Sequence, residues 1–88
     1  MKNNAFMSFK ERFNENHPEF IEKLLGNFSD LTHREVLLCM YLKQNYSNKE
    51  ISEKMEISRT TVDTYRHRTR KKMKLNRSES IISFLNRL

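Results

Sequence analysis

Glycine, proline, cysteine and tryptophan are almost missing from this chain: one Gly, one Pro, one Cys and no Trp in 88 residues. With Gly26 the only glycine, there is little room for the turns of a many-stranded sheet or for flexible linkers. With one cysteine there is no internal disulfide. Cys39 lies inside the apolar run VLLCMYL, where a thiol packs as a small hydrophobe in a reducing compartment. Long hydrophobic runs are lacking as well. No stretch would span a bilayer and no signal-peptide pattern is present, so the expectation is a cytoplasmic chain with no membrane partner. Catalytic signatures are equally sparse. His17, His33, His67 and Cys39 show no metal-ligand spacing, and there is neither a Gly-rich phosphate loop nor a singled-out nucleophile–base pair. Neither an enzyme nor a cofactor is expected.

What the chain does have is localised positive charge. The net charge is +6, but residues 58–88 hold nine Arg/Lys against two Asp/Glu, whereas residues 1–57 hold eight against nine. A basic third on a small domain suggests a nucleic acid or an anionic surface as partner. The 36% hydrophobic content is thin, but it suffices for a bundle in which each helix buries one stripe.

Capping signals divide the chain into helices. Thr32-His33-Arg34-Glu35 and Ser47-Asn48-Lys49-Glu50 are capping boxes, and Asn76-Arg77-Ser78-Glu79 is a looser third. Ser58 is a good N-cap, and Pro18 suits a first helical position. The predicted helices span 18–25, ending near Gly26; 33–44, stopped by a left-handed Asn45; 48–55; 59–74; and 77–87. Phe6, Phe9 and Phe13, spaced i, i+3, i+7, predict a helical arm before them.

Phase sorts the residues of the 59–74 helix. At about 100° per residue, Val62, Tyr65, Thr69 and Met73 form a core-facing stripe. The opposite face carries Thr60, Thr64, His67 and Lys71, flanked by Asp63 and Lys74 on one side and Arg68 on the other, with Arg70 further round. Short polar groups with long cations around them suit a helix lying in a major groove. The plainer reading is a solvated basic face.

The motifs LTHRE at 31–35, SNKEI at 47–51 and ISRTTVDTYRHRTRKKM at 57–73 resemble the LuxR/GerE-type helix-turn-helix domain of bacterial transcription regulators, in spacing as well as residues. NENHPEFIEKLLGNFSDLT at 14–32 and YRHRTRKKM resemble the C-terminal regions of a Bacteroidetes group of such regulators. The resemblance implies an all-α, four-helix domain over 31–88, preceded by an N-terminal helical extension or linker over 1–30. It implies sequence-specific binding of double-stranded DNA, with Asp63, Thr64 and His67 at the positions that read bases. The expected phosphate-binding set is Ser47, Asn48, Lys49, Thr60, Thr61, Arg66, Arg68, Arg70, Lys71 and Lys74. Three positions depart from the family pattern: Leu37 is apolar where Glu is common, Thr69 is polar where an apolar residue packs, and Glu56 stands in a turn that favours Gly or Asn.

Two roles remain open for Asp63. It accepts from a base donor such as a cytosine amino group, or it pairs with a cation of its own helix. For His67 the alternatives are a purine contact and an ordinary surface histidine. Ile81, Ile82, Phe84, Leu85 and Leu88 offer more apolar surface than one core contact needs, so a homodimer on DNA is expected through them. RNA polymerase and an upstream sensor domain are further candidate partners. The chain reads equally as a stand-alone regulator and as the C-terminal piece of a longer one. Rival readings are a sigma-factor region 4, which also begins with an LT-x-RE pattern, and an adaptor that docks a regulator or polymerase.

Overall fold

In a computed structural model of the chain, residues 5–88 are described, with side chains from residue 9 onward. Among the described residues the architecture is all-helical: α1 (Ala5–Asn16), α2 (Phe20–Asn27), α3 (His33–Lys43), α4 (Asn48–Met55), α5 (Arg59–Lys72) and α6 (Ile81–Arg87), with no strand. None of these helices is long and apolar enough to cross a membrane.

Helix α3 is the hub. It buries Leu37, Leu38, Cys39, Met40, Tyr41 and Leu42, and both α5 and α6 pack against it. Its start is the predicted box: the Glu35 amide donates to Thr32 Oγ1 at 3.1 Å, and the Thr32 amide donates to Glu35 Oε1 at 2.9 Å. The second box opens α4, with 3.1 Å from the Glu50 amide to Ser47 Oγ and 2.8 Å from the Ser47 amide to Glu50 Oε1. Ser58 caps α5 by accepting from the Thr61 amide at 3.0 Å.

Scarcity of glycine shows most clearly where helices stop. Asn45, Glu56 and Lys74 all have positive φ, at 65°, 59° and 59°. Each begins the same hydrogen-bonded exit, in which the following residue's amide reaches back five residues: Tyr46 to Tyr41, Ile57 to Ser52 and Leu75 to Arg70. That following residue is apolar each time and packs on the core. The hydrophobic anchor thus holds a left-handed conformation that a β-carbon disfavours.

Five predicted boundaries shift, two of them slightly: α2 runs on to Asn27 and α3 stops at Lys43. Helix α2 starts at Phe20, not at Pro18, because the Phe20 amide closes a turn onto the His17 carbonyl at 3.2 Å. Helix α5 ends at Lys72, because Lys74 turns left-handed and leaves the helical face. Helix α6 begins at Ile81, capped by Ser80, and the 77–80 turn is not helical. There the Asn76 side chain accepts from the Ser78 amide and hydroxyl at 3.0 and 2.8 Å, not from the Glu79 amide. Only half of the third box forms, from the Asn76 amide to Glu79 Oε1 at 2.8 Å.

The N-terminal helices belong to the same core. Phe13, Phe20 and Leu24 are buried, and Phe9 stacks on Tyr41 with ring centroids 4.5 Å apart. Phe13 meets Phe20 edge-on at 5.3 Å. The Phe6 side chain, part of the same predicted stripe, lies outside the described residues.

Candidate nucleic-acid interface

Helix α5 presents two unlike faces. Val62 and Thr69 are wholly buried and Met73 nearly so, with Tyr65 half-buried beside them, as the phase predicted. On the other side Thr60, Asp63, Thr64, His67, Arg68 and Lys71 are exposed together. Thr64 Oγ1 donates to the Thr60 carbonyl at 3.1 Å. Helix α4 braces this helix across the Glu56–Ser58 turn, with Ser47 and Lys49 exposed at its start and Asn48 half-buried.

Three cations of α5 have hydrogen-bond partners among the described residues. Arg70 donates from Nη1 to the Glu79 carbonyl and from Nη2 to the Asn76 carbonyl, both at 2.7 Å. It staples the loop between α5 and α6, where the Asn76 carbonyl also accepts from the Glu79 amide at 3.2 Å. Arg66 is half-buried on the shoulder of α5 and donates to Asn48 Oδ1 at 3.2 Å. Burial pulls its pKa down, the Asp63 carboxylate acts the other way, and Arg70 lowers it further; it remains a cation. Lys72, unassigned in the sequence reading, bridges Glu35 Oε1 at 2.7 Å and the Asp30 carbonyl at 2.9 Å. At 100° per residue both Arg66 and Lys72 lie about 120° from the centre of the exposed face, so helical phase alone could have separated them from the open cations.

Asp63 follows neither expected role outright. Its Oδ1 accepts from Asn48 Nδ2 at 3.4 Å, a partner on α4 rather than a cation of α5. The residues expected to pair two copies are largely occupied at home. Ile81 and Leu85 are buried in the protomer's own core. Phe84 packs on Phe28 at 5.8 Å with Arg87 over its ring, and Ile82 and Leu88 are half-buried.

Chemistry of other kinds has little purchase. Burial pushes the Cys39 thiol up to about 12, with Glu35 adding to the shift, so it is not a nucleophile near neutral pH. Among the described residues no cluster of side chains could hold a metal ion.

An exposed polar and cationic helix, braced by a shorter helix across a tight turn and seated on a third, defines a helix-turn-helix domain. Residues 29–85 match the model of the luxR family of bacterial regulatory proteins (GerE), and the chain belongs to that family. It is similar to the response regulator protein TmoT of Ectopseudomonas mendocina, with 31% identity over 74 residues, covering 84% of this chain and 33% of that protein. It is also similar to the response regulator protein TodT of Pseudomonas putida, with 28% identity over 68 residues, covering 77% and 30%. The chain therefore spans about a third of the length of the curated relatives it matches. No solved structure matches it. Family membership makes this a DNA-binding domain of a transcription regulator, not an enzyme.

Proposed function

We propose that the chain binds double-stranded DNA sequence-specifically, with α5 in the major groove, as the output part of a response-regulator-like protein. The carrying observation is the exposed face of α5, where Thr60, Asp63, Thr64, His67, Arg68 and Lys71 lie opposite the buried Val62 and Thr69. Asp63, Thr64 and His67 form the reading strip. A carboxylate is repelled by phosphates, so Asp63 gains only by accepting from a base donor, with the cytosine amino group the natural one. Thr64, exposed on the same face, offers a methyl group suited to a thymine methyl.

Ser47, Asn48, Lys49, Thr60, Thr61, Arg68, Lys71 and Lys74 supply the backbone contacts. Arg66 and Arg70 support the site from within, because their guanidinium groups are engaged by Asn48 and by the 76–79 carbonyls. Two copies meet on inverted half-sites through the remaining apolar strip of Ile82, Phe84 and Leu88. A sensor domain upstream, like that of a response regulator, supplies the input, and polymerase is the downstream partner.

Selection of bound sequences from a random duplex pool, followed by two variants, tests this reading. Lys71→Ala should weaken binding to all sequences alike, by about 3–10-fold, since it removes one phosphate contact. Asp63→Ala should relax preference at one base pair. If both variants only scale affinity, Asp63 reads nothing.

A further inference from the structure

A polar relay joins the start of α4 to the reading face of α5. Arg66 Nη1 donates to Asn48 Oδ1 at 3.2 Å, and Asn48 Nδ2 donates to Asp63 Oδ1 at 3.4 Å. Its direction is forced. A guanidinium only donates and a carboxylate only accepts, so the Asn48 amide must set its oxygen toward Arg66 and its nitrogen toward Asp63. The flipped amide would oppose donor to donor and acceptor to acceptor.

We propose that Asn48 is a positioning residue for base choice: it fixes the Asp63 carboxylate in its reading orientation and so links backbone docking at α4 to sequence selection at α5. The inference rests on the reading of Asp63 as a base contact. An aspartate exposed on a helix samples several rotamers, including ones that lean back to cations on its own helix. Asn48 holds one oxygen from the neighbouring helix. Being neutral, it leaves the negative charge of Asp63 intact, and the second oxygen stays open to a base donor. Arg66 makes the arrangement directional, because its half-buried guanidinium holds the far end of the amide. Asn48 is also the first residue of α4, beside Ser47 and Lys49. Pressure of a phosphate on that helix end is transmitted to Asp63 through a single side chain.

The experiment takes the best duplex from the selected pool and measures binding to all single-base variants of it. The unaltered chain should discriminate by about 10-fold at the position read by Asp63. Asp63→Ala should flatten that position to within about 2-fold. Asn48→Ala should flatten the same position and no other. In the Asp63→Ala background, Asn48→Ala should shift affinity for every duplex alike and change no preference. Arg66→Met keeps the aliphatic stem and cuts the relay from its other end. It should lower discrimination at the same position, which keeps the test decisive should Asn48→Ala not fold. If Asp63→Ala flattens the position while Asn48→Ala and Arg66→Met keep it sharp, the positioning role is overturned and the reading role stands. If Asp63→Ala leaves every preference intact, the reading role itself falls and takes the inference with it.

Discussion

Thr69 stands at the centre of the core with its hydroxyl unpaired: the residue is wholly buried and Oγ1 has no hydrogen-bond partner among the described residues. Its place among apolar positions of α5 was legible from phase, but its lack of a partner was not. A threonine in a helix can donate to the carbonyl one turn back, as Thr64 does, and only the packed structure shows that Thr69 does not. Thr69→Val removes the stranded hydroxyl at nearly constant volume. It should raise stability by about 1 kcal/mol, seen as a higher midpoint in urea with an unchanged slope. A lower midpoint would mean that the hydroxyl is satisfied after all.

The helices were legible wherever a side chain announces a boundary. The boxes at Thr32 and Ser47 and the cap at Ser58 opened α3, α4 and α5 at the predicted residues, because each donor–acceptor pair is local. Boundaries set by distant partners were not legible. Nothing near Asn76 foretells that Arg70 ties down this loop, or that Ser80 rather than Asn76 caps α6, four residues later than expected. The stop at Lys74 did have a signal: the apolar residue after it repeats the pattern of Tyr46 and Ile57. The Glu35–Lys72 bridge between α3 and α5 was likewise hidden by 37 residues of separation. Burial raises the carboxyl of Glu35, but the Lys72 ammonium and the Thr32 amide outweigh it, and the pKa falls below its ordinary 4.5. A lowered folded value stabilises the protein above pH 4.5, and that contribution is lost as pH drops through the folded value. Glu50, held by Ser47, shifts the same way and adds to the acid sensitivity. Lys72→Met should make the acid limb of stability shallower. At neutral pH it should cost about 2 kcal/mol, below the full price of a broken buried pair, because the Lys72 side chain keeps 27% exposure. Thermal melts from pH 3 to 7 measure both effects, and parallel profiles for the two proteins would deny the bridge its role.

At the scale of the molecule, the matched family segment begins at residue 29, yet the core does not. Phe9, Phe13, Phe20 and Leu24 come from α1 and α2, and Phe9 seals Tyr41 and Tyr46 at the turn leading into α4. The family motifs start at Leu31, which sets 1–30 apart as an extension; the aromatic stripe is visible in the sequence, but its docking site is not. Each of these side chains contributes about 1.5–3 kcal/mol by burial, while a domain of this size has only about 5 kcal/mol in hand. Deleting residues 1–28 should therefore abolish cooperative thermal unfolding, as followed by circular dichroism. A sharp transition in the truncated protein would show that the extension is dispensable.

The central claim is that the open face of α5 and the start of α4 rest on a phosphate backbone. Its most direct test is the dissociation constant for a selected duplex as a function of salt. With Lys49, Arg68, Lys71 and Lys74 exposed, the logarithm of affinity should fall against the logarithm of salt with a slope of about −4, and Lys71→Ala should reduce that slope by about one. An absence of binding at low salt, or binding indifferent to salt, would contradict the account.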